Sequence, residues 1–89
     1  MSERKKITQE DVNRGVEVVL AAMDRQFESK GTGALKSRHE IFGTVAEEVN
    51  ELTLALNADP IEPFHDELVD TAVAALFGVI CINADALDW

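Results

Sequence analysis

Between Leu68 and Ile82 the chain reads LVDTAVAALFGVICI, and Asp70 is the only charged residue in that run. A segment this apolar must be covered by other parts of a fold. A carboxylate under such cover is costly unless paired, and an unpaired one normally becomes neutral. No Lys or Arg follows Arg38, so the C-terminal half offers no cation of its own. A divalent metal ion is the simplest partner.

Other carboxylates match that requirement. Asp70 closes the cluster Glu67-x-x-Asp70, and a second cluster, Glu47-Glu48-x-x-Glu51, stands upstream in another apolar stretch. Residues three apart on a helix share one face about a turn apart, so each pair can aim its oxygens at one point. Two such pairs on antiparallel helices make a cage of hard oxygen ligands. This donor set suits Mg²⁺ or Mn²⁺, and through them a substrate carrying phosphates.

Size and charge narrow the alternatives. The 89 residues are 46% hydrophobic and carry a formal net charge of -9, with 8 basic against 17 acidic residues. That length predicts one domain over residues 1–89, with residues 1–7 flexible and a core that is modest if the chain stays alone. The acidic balance argues against binding a nucleic-acid polymer, which draws on clustered Lys and Arg. The N-terminus MSERKKITQEDV lacks the apolar stretch of a signal peptide. The longest apolar run is also short of the roughly 20 residues that span a bilayer. A soluble cytoplasmic protein with no membrane partner is expected, its single Cys81 a buried, inert thiol.

The pattern along the chain predicts three helices. Thr8 reads as an N-cap with Glu10 and Asp11 in the first turn. Val12, Val16, Val19, Leu20, Met23 and Phe27 then recur at the helical period. The segment Ser29 to Gly33 ends this helix; its Gly-x-Gly is no nucleotide fingerprint, because no strand precedes it and the third glycine is missing. A second helix is predicted from near Lys36 to Asn57, with Phe42, Val45, Val49, Leu52 and Leu56 as its stripe. At 100° per residue Glu48 falls at the edge of that stripe, Glu51 further round and Glu47 almost opposite. Asp59-Pro60-x-Glu62 resembles an N-cap with proline at the first helical position, opening a third helix. That helix is apolar nearly all round, which one small chain cannot cover, so a second subunit is expected.

The order Glu-Glu-x-x-Glu, a turn, then Glu-x-x-Asp, written here as EEVNE and ELVD, resembles the MazG-type all-α nucleoside triphosphate pyrophosphohydrolases. His39-Glu40-x-x-Gly43 is similar to the lead-in of small single-domain members. The resemblance covers roughly Lys36 to Ile82. It implies an all-α, antiparallel helical bundle whose core is completed by oligomerisation to a homodimer or homotetramer. It also implies Mg²⁺-dependent cleavage of nucleoside triphosphates to the monophosphate and pyrophosphate. Carried over by position, Glu48, Glu51, Glu67 and Asp70 are the metal ligands, and Glu47 or Glu48 handles the attacking water. Lys30, Lys36 and Arg38, just before the acidic helix, are candidates for the phosphates, and Asn50 or Asn83 for the base. The rival reading is a non-catalytic acidic helical module that binds a basic protein surface. His39 and His65 show no metal-ligand spacing.

Overall fold

The computed structural model describes residues 3–89. It is all-helical, with α1 (Gln9–Lys30), α2 (Arg38–Leu54) and α3 (Glu62–Asn83), and no strand among the described residues. Residues 3–7 are exposed and carry no regular secondary structure; Met1 and Ser2 lie outside the described residues.

Thr8 caps α1 as its sequence suggests. Its hydroxyl accepts from the Asp11 N–H at 3.1 Å, and the Asp11 carboxylate accepts from the Thr8 N–H at 3.0 Å. This reciprocal box satisfies two groups that a helix start leaves open. The Thr8 backbone bond, then its hydroxyl, hold the Asp11 carboxyl below the usual range. Gly31 ends the helix at φ 83, a backbone conformation that glycine adopts without strain, and its N–H donates to the Phe27 carbonyl at 2.8 Å.

The other two helices are shorter at their ends than the apolar pattern suggests. Ser37, fully buried, caps α2 by accepting from the Glu40 N–H, so the helix starts at Arg38. The Glu40 carboxylate turns back to accept from the Lys36 N–H at 2.7 Å. At the far end the Leu56 N–H reaches only to the Thr53 carbonyl, and regular helix stops at Leu54 rather than Asn57. Asp59 does not cap α3. The Asp59–Pro60 peptide is cis and lies before the helix, Ile61 occupies the cap position without a side-chain bond, and Pro63 takes the proline place in the first turn.

Helix α3 is central, with α1 and α2 each packed on it and not on one another. Ala22 and Met23 of α1 meet Val73 of α3, with Val19, Phe27, Val69 and Leu76 around them. The Phe27 and Phe77 rings meet edge to face, their centroids 5.6 Å apart. Against α2, the contacts run in reverse chain order: Ile41 covers Gly78, and Glu48 lies beside Asp70. After α3 the chain folds back, the Asp88 and Trp89 N–H groups donating to the Lys36 carbonyl and the Trp89 ring lying 5.1 Å from His39. Cys81 is buried and free. No described helix is long and apolar enough to cross a membrane.

Much of the apolar surface stays uncovered. Val12, Val16 and Leu20, half of the α1 stripe, are exposed, and Phe42 on α2 is 75% exposed. On α3 only Val73, Ala74, Gly78 and Cys81 are buried, whereas Leu68, Val79 and Ile82 are exposed.

Candidate metal centre

Glu48 lies on the face of α2 that carries Ile41, Val45 and Leu52, the face turned to α3, and all four side chains are partly buried. Glu67 and Asp70 stand three apart on α3, one turn from each other. Packing the two helices in reverse order therefore brings these carboxylates together. One oxygen of each of Glu48, Glu67 and Asp70 lies within 4.8 Å of the others. Two oxygens across a single Mg²⁺ stand about 4.2 Å apart, since each bond is about 2.1 Å. At most one pair of the three could lie across one ion, so the carboxylates would draw closer to share it.

The electrostatics are those of anions without a counter-charge. Burial pushes the Glu48 carboxyl up, and the neighbouring Asp70, Glu51 and Glu67 push it further; only Lys30 opposes them. Burial also raises Glu67, followed by the charges of Glu51 and Asp70. The Glu67 Oε2 is shut off from solvent and has no hydrogen-bond partner. A buried acceptor left unsatisfied is costly. A bound cation would satisfy it and reverse the mutual repulsion, so the residues present fit a divalent metal.

The remaining candidates are placed less centrally. Glu51 is exposed and stands outside the convergent three, near enough to Glu67 for its charge to raise that carboxyl. Glu47 is exposed and not among the converging groups. Asp70 is half-buried rather than fully covered, because it opens onto a cavity of about 230 Å³. That cavity lies between the end of α1, the loop after it, α2 and α3, and Glu48 lines it too. Its cation is Lys30. Lys36, Arg38 and Asn83 do not line it. At 1.5 Å per residue, Arg38 is about 15 Å along α2 from Glu48, and Asn83 about 20 Å along α3 from Asp70.

Sequence reasoning assigned Phe27 to a core stripe and left Phe77 without a role, yet both border this cavity beside Gln26 and Thr44. The missing signal is tertiary: nothing in the spacing of α1 tells which end of it will stand over the acidic helices. The chain matches no protein-family model, no curated protein and no solved structure.

Proposed function

We propose that this chain is a Mg²⁺-dependent nucleoside triphosphate pyrophosphohydrolase of the MazG type, with Mn²⁺ as a substitute ion, acting in the cytoplasm. The observation that carries the reading is the convergence of Glu48, Glu67 and Asp70, in a cluster where the Glu67 Oε2 has no hydrogen-bond partner. These three hold the ion, and Glu51, whose charge already bears on Glu67, completes the ligand set. When bound, the ion withdraws charge from the phosphates and acidifies water.

The chain's own groups then divide the work. Glu48, which lines the cavity, is the carboxylate placed to take a proton from water through an oxygen not engaged with the ion. Glu47, exposed beside it, is less well placed for that role. The water oxygen attacks the α-phosphorus, the bond from that phosphorus to the bridging oxygen breaks, and pyrophosphate leaves with the electron pair. Lys30, at the cavity beside Glu48, is the cation positioned to steady the phosphate chain, in place of Lys36 and Arg38.

A second copy belongs to the same reading. Phe42 and Val49 on α2 and Leu56 in the turn just after it recur every seven residues, and Leu68, Ala75 and Ile82 do so on α3; all six are exposed. Such a seam suits an isologous contact that builds an antiparallel bundle from two α2–α3 pairs. The groove of Val12, Val16, Leu20, Ala72 and Leu76 offers a further apolar face, through which two dimers form a tetramer.

The test is incubation with a panel of nucleoside triphosphates and Mg²⁺, followed by separation of the products. Nucleoside monophosphate and pyrophosphate are expected, with EDTA stopping the reaction and Mg²⁺ restoring it. Release of single phosphate would give the reaction a different bond. No turnover on any nucleotide would leave the acidic interaction module as the better account of the net charge of -9.

A further inference from the structure

The cavity beside the carboxylates has a composition that phosphate chemistry alone does not need. Its walls are Phe27, Leu35, Val73 and Phe77, and an ion or a bare polyphosphate gains nothing from them. Pockets that enclose a drug-sized ligand run from about 300 Å³ upward. At about 230 Å³ this one admits a single ring system rather than a whole nucleotide. Flat rings stack favourably on aromatic side chains whatever their sequence context.

Two neutral polar groups stand in the same wall. Gln26 is half-buried, and its amide has no hydrogen bond among the described residues, so it presents both donors and acceptors. The Thr44 hydroxyl already donates to the Glu40 carbonyl at 2.9 Å, which leaves lone pairs to accept with. Side-chain amides and hydroxyls are the groups that read the edges of bases. Because Glu48 and Asp70 line this cavity as well, a ring held here has its attached phosphates within reach of the metal ligands.

We infer that this cavity is a base pocket: it holds the planar heterocycle of a nucleotide against the wall that the Phe27–Phe77 pair and Val73 make, with Gln26 reading its edge. The inference rests on the nucleotide reading proposed above and adds the residues that select among nucleotides.

Equilibrium binding to the full chain tests it, with the four nucleoside monophosphates and ribose 5-phosphate as probes, with and without Mg²⁺. At least one nucleoside monophosphate should bind tenfold or more tightly than ribose 5-phosphate. Gln26→Ala should flatten the preference among the four bases. Phe77→Leu, which keeps an apolar wall but removes the aromatic face, should weaken the preferred monophosphate about fivefold or more and leave inorganic tripolyphosphate binding unchanged. Circular dichroism checks that both variants stay helical. Equal binding of ribose 5-phosphate and the monophosphates, or an unchanged base preference in Gln26→Ala, overturns the pocket. Base-selective binding without hydrolysis upholds the pocket and removes the enzyme reading; hydrolysis without base selectivity does the reverse.

Discussion

Ile41 lies directly over Gly78: a β-carbon added at Gly78 would stand 2.6 Å from the Ile41 Cγ2. Helices α2 and α3 come close here because no side chain separates them. Glu48 and Asp70 each sit about two turns away from this point, so the contact sets how near their carboxylates stand.

Gly78→Ala is therefore expected to destabilise the protein despite the better helix propensity of alanine. Overpacking costs about 1 to 3 kcal/mol, against a propensity gain of about 1 kcal/mol. The stiff β-branched side chain of Ile41 cannot easily swing aside. Ile41→Leu removes the γ2 methyl and should recover part of the loss, a coupling that a double-mutant cycle in urea unfolding measures. Additive effects would show that the two residues do not touch.

Divalent ions should stabilise the chain against heat. A ligand at a hundred times its dissociation constant adds about 2.7 kcal/mol. In EDTA, Asp70→Asn should match or exceed the wild type in Tm, because one of three crowded anions has gone; in Mg²⁺ it should gain nothing. Glu51→Gln and Asp70→Asn are both expected to abolish nucleotide turnover at unchanged helical content, whereas Glu47→Gln should retain most of it. Full activity in Asp70→Asn would separate the carboxylate cluster from the reaction.

The metal-free protein should become more stable as the pH falls from neutral. Glu48 and Glu67 both have pKa values raised by folding. Between the ordinary and raised values the folded chain therefore holds protons that the unfolded chain has released. Stability rises as pH drops through the raised values and levels off below the ordinary 4.5, where both states are protonated. Asp11 has the opposite sign: its contribution is present above 3.8 and lost as pH falls through its lowered value. Saturating Mg²⁺ should erase or invert the first trend. Thermal unfolding across pH with and without the ion tests this, and a flat metal-free profile would contradict the crowding of the carboxylates.

Val79 and Phe42 sit in the uncovered face of α2 and α3, at 53% and 75% exposure. If that face joins two copies, Val79→Glu or Phe42→Glu should shift sedimentation toward the monomer while the helices persist. An exposed apolar patch beyond a few hundred Å² is unusual on a monomer. A wild-type chain that sediments only as a monomer at micromolar concentration would remove the dimer.

What could be read from the chain alone was set by local rules. Thr8 with Asp11 fixes the start of α1, and the placing of Glu48 against Glu47 follows from the helical period, because both depend on neighbours three or four residues away. Asp59 failed as a cap because Ile61 and Pro63 were a competing start that propensity does not rank. Lys30, Lys36 and Arg38 all precede the acidic helix in the sequence, yet the start of α2 leaves Lys36 and Arg38 far from Glu48 while the turn at Gly31 to Ser37 brings Lys30 to it. The aromatic wall of the cavity depends on how α1 lies across α3, which no spacing encodes.

Because α1 rests on α3 alone, the molecule separates what must stay fixed from what can drift. The paired helices α2 and α3 hold the acidic oxygens in register, while Gln26, Phe27 and Lys30 ride on a helix tethered to α2 only by a short glycine-containing loop. A change in that loop, or in the Ala22 and Met23 contacts beneath α1, would alter the width of the cavity without moving an acidic ligand. The cavity can thus change its shape by change along one seam while the acidic cluster between α2 and α3 stays as it is.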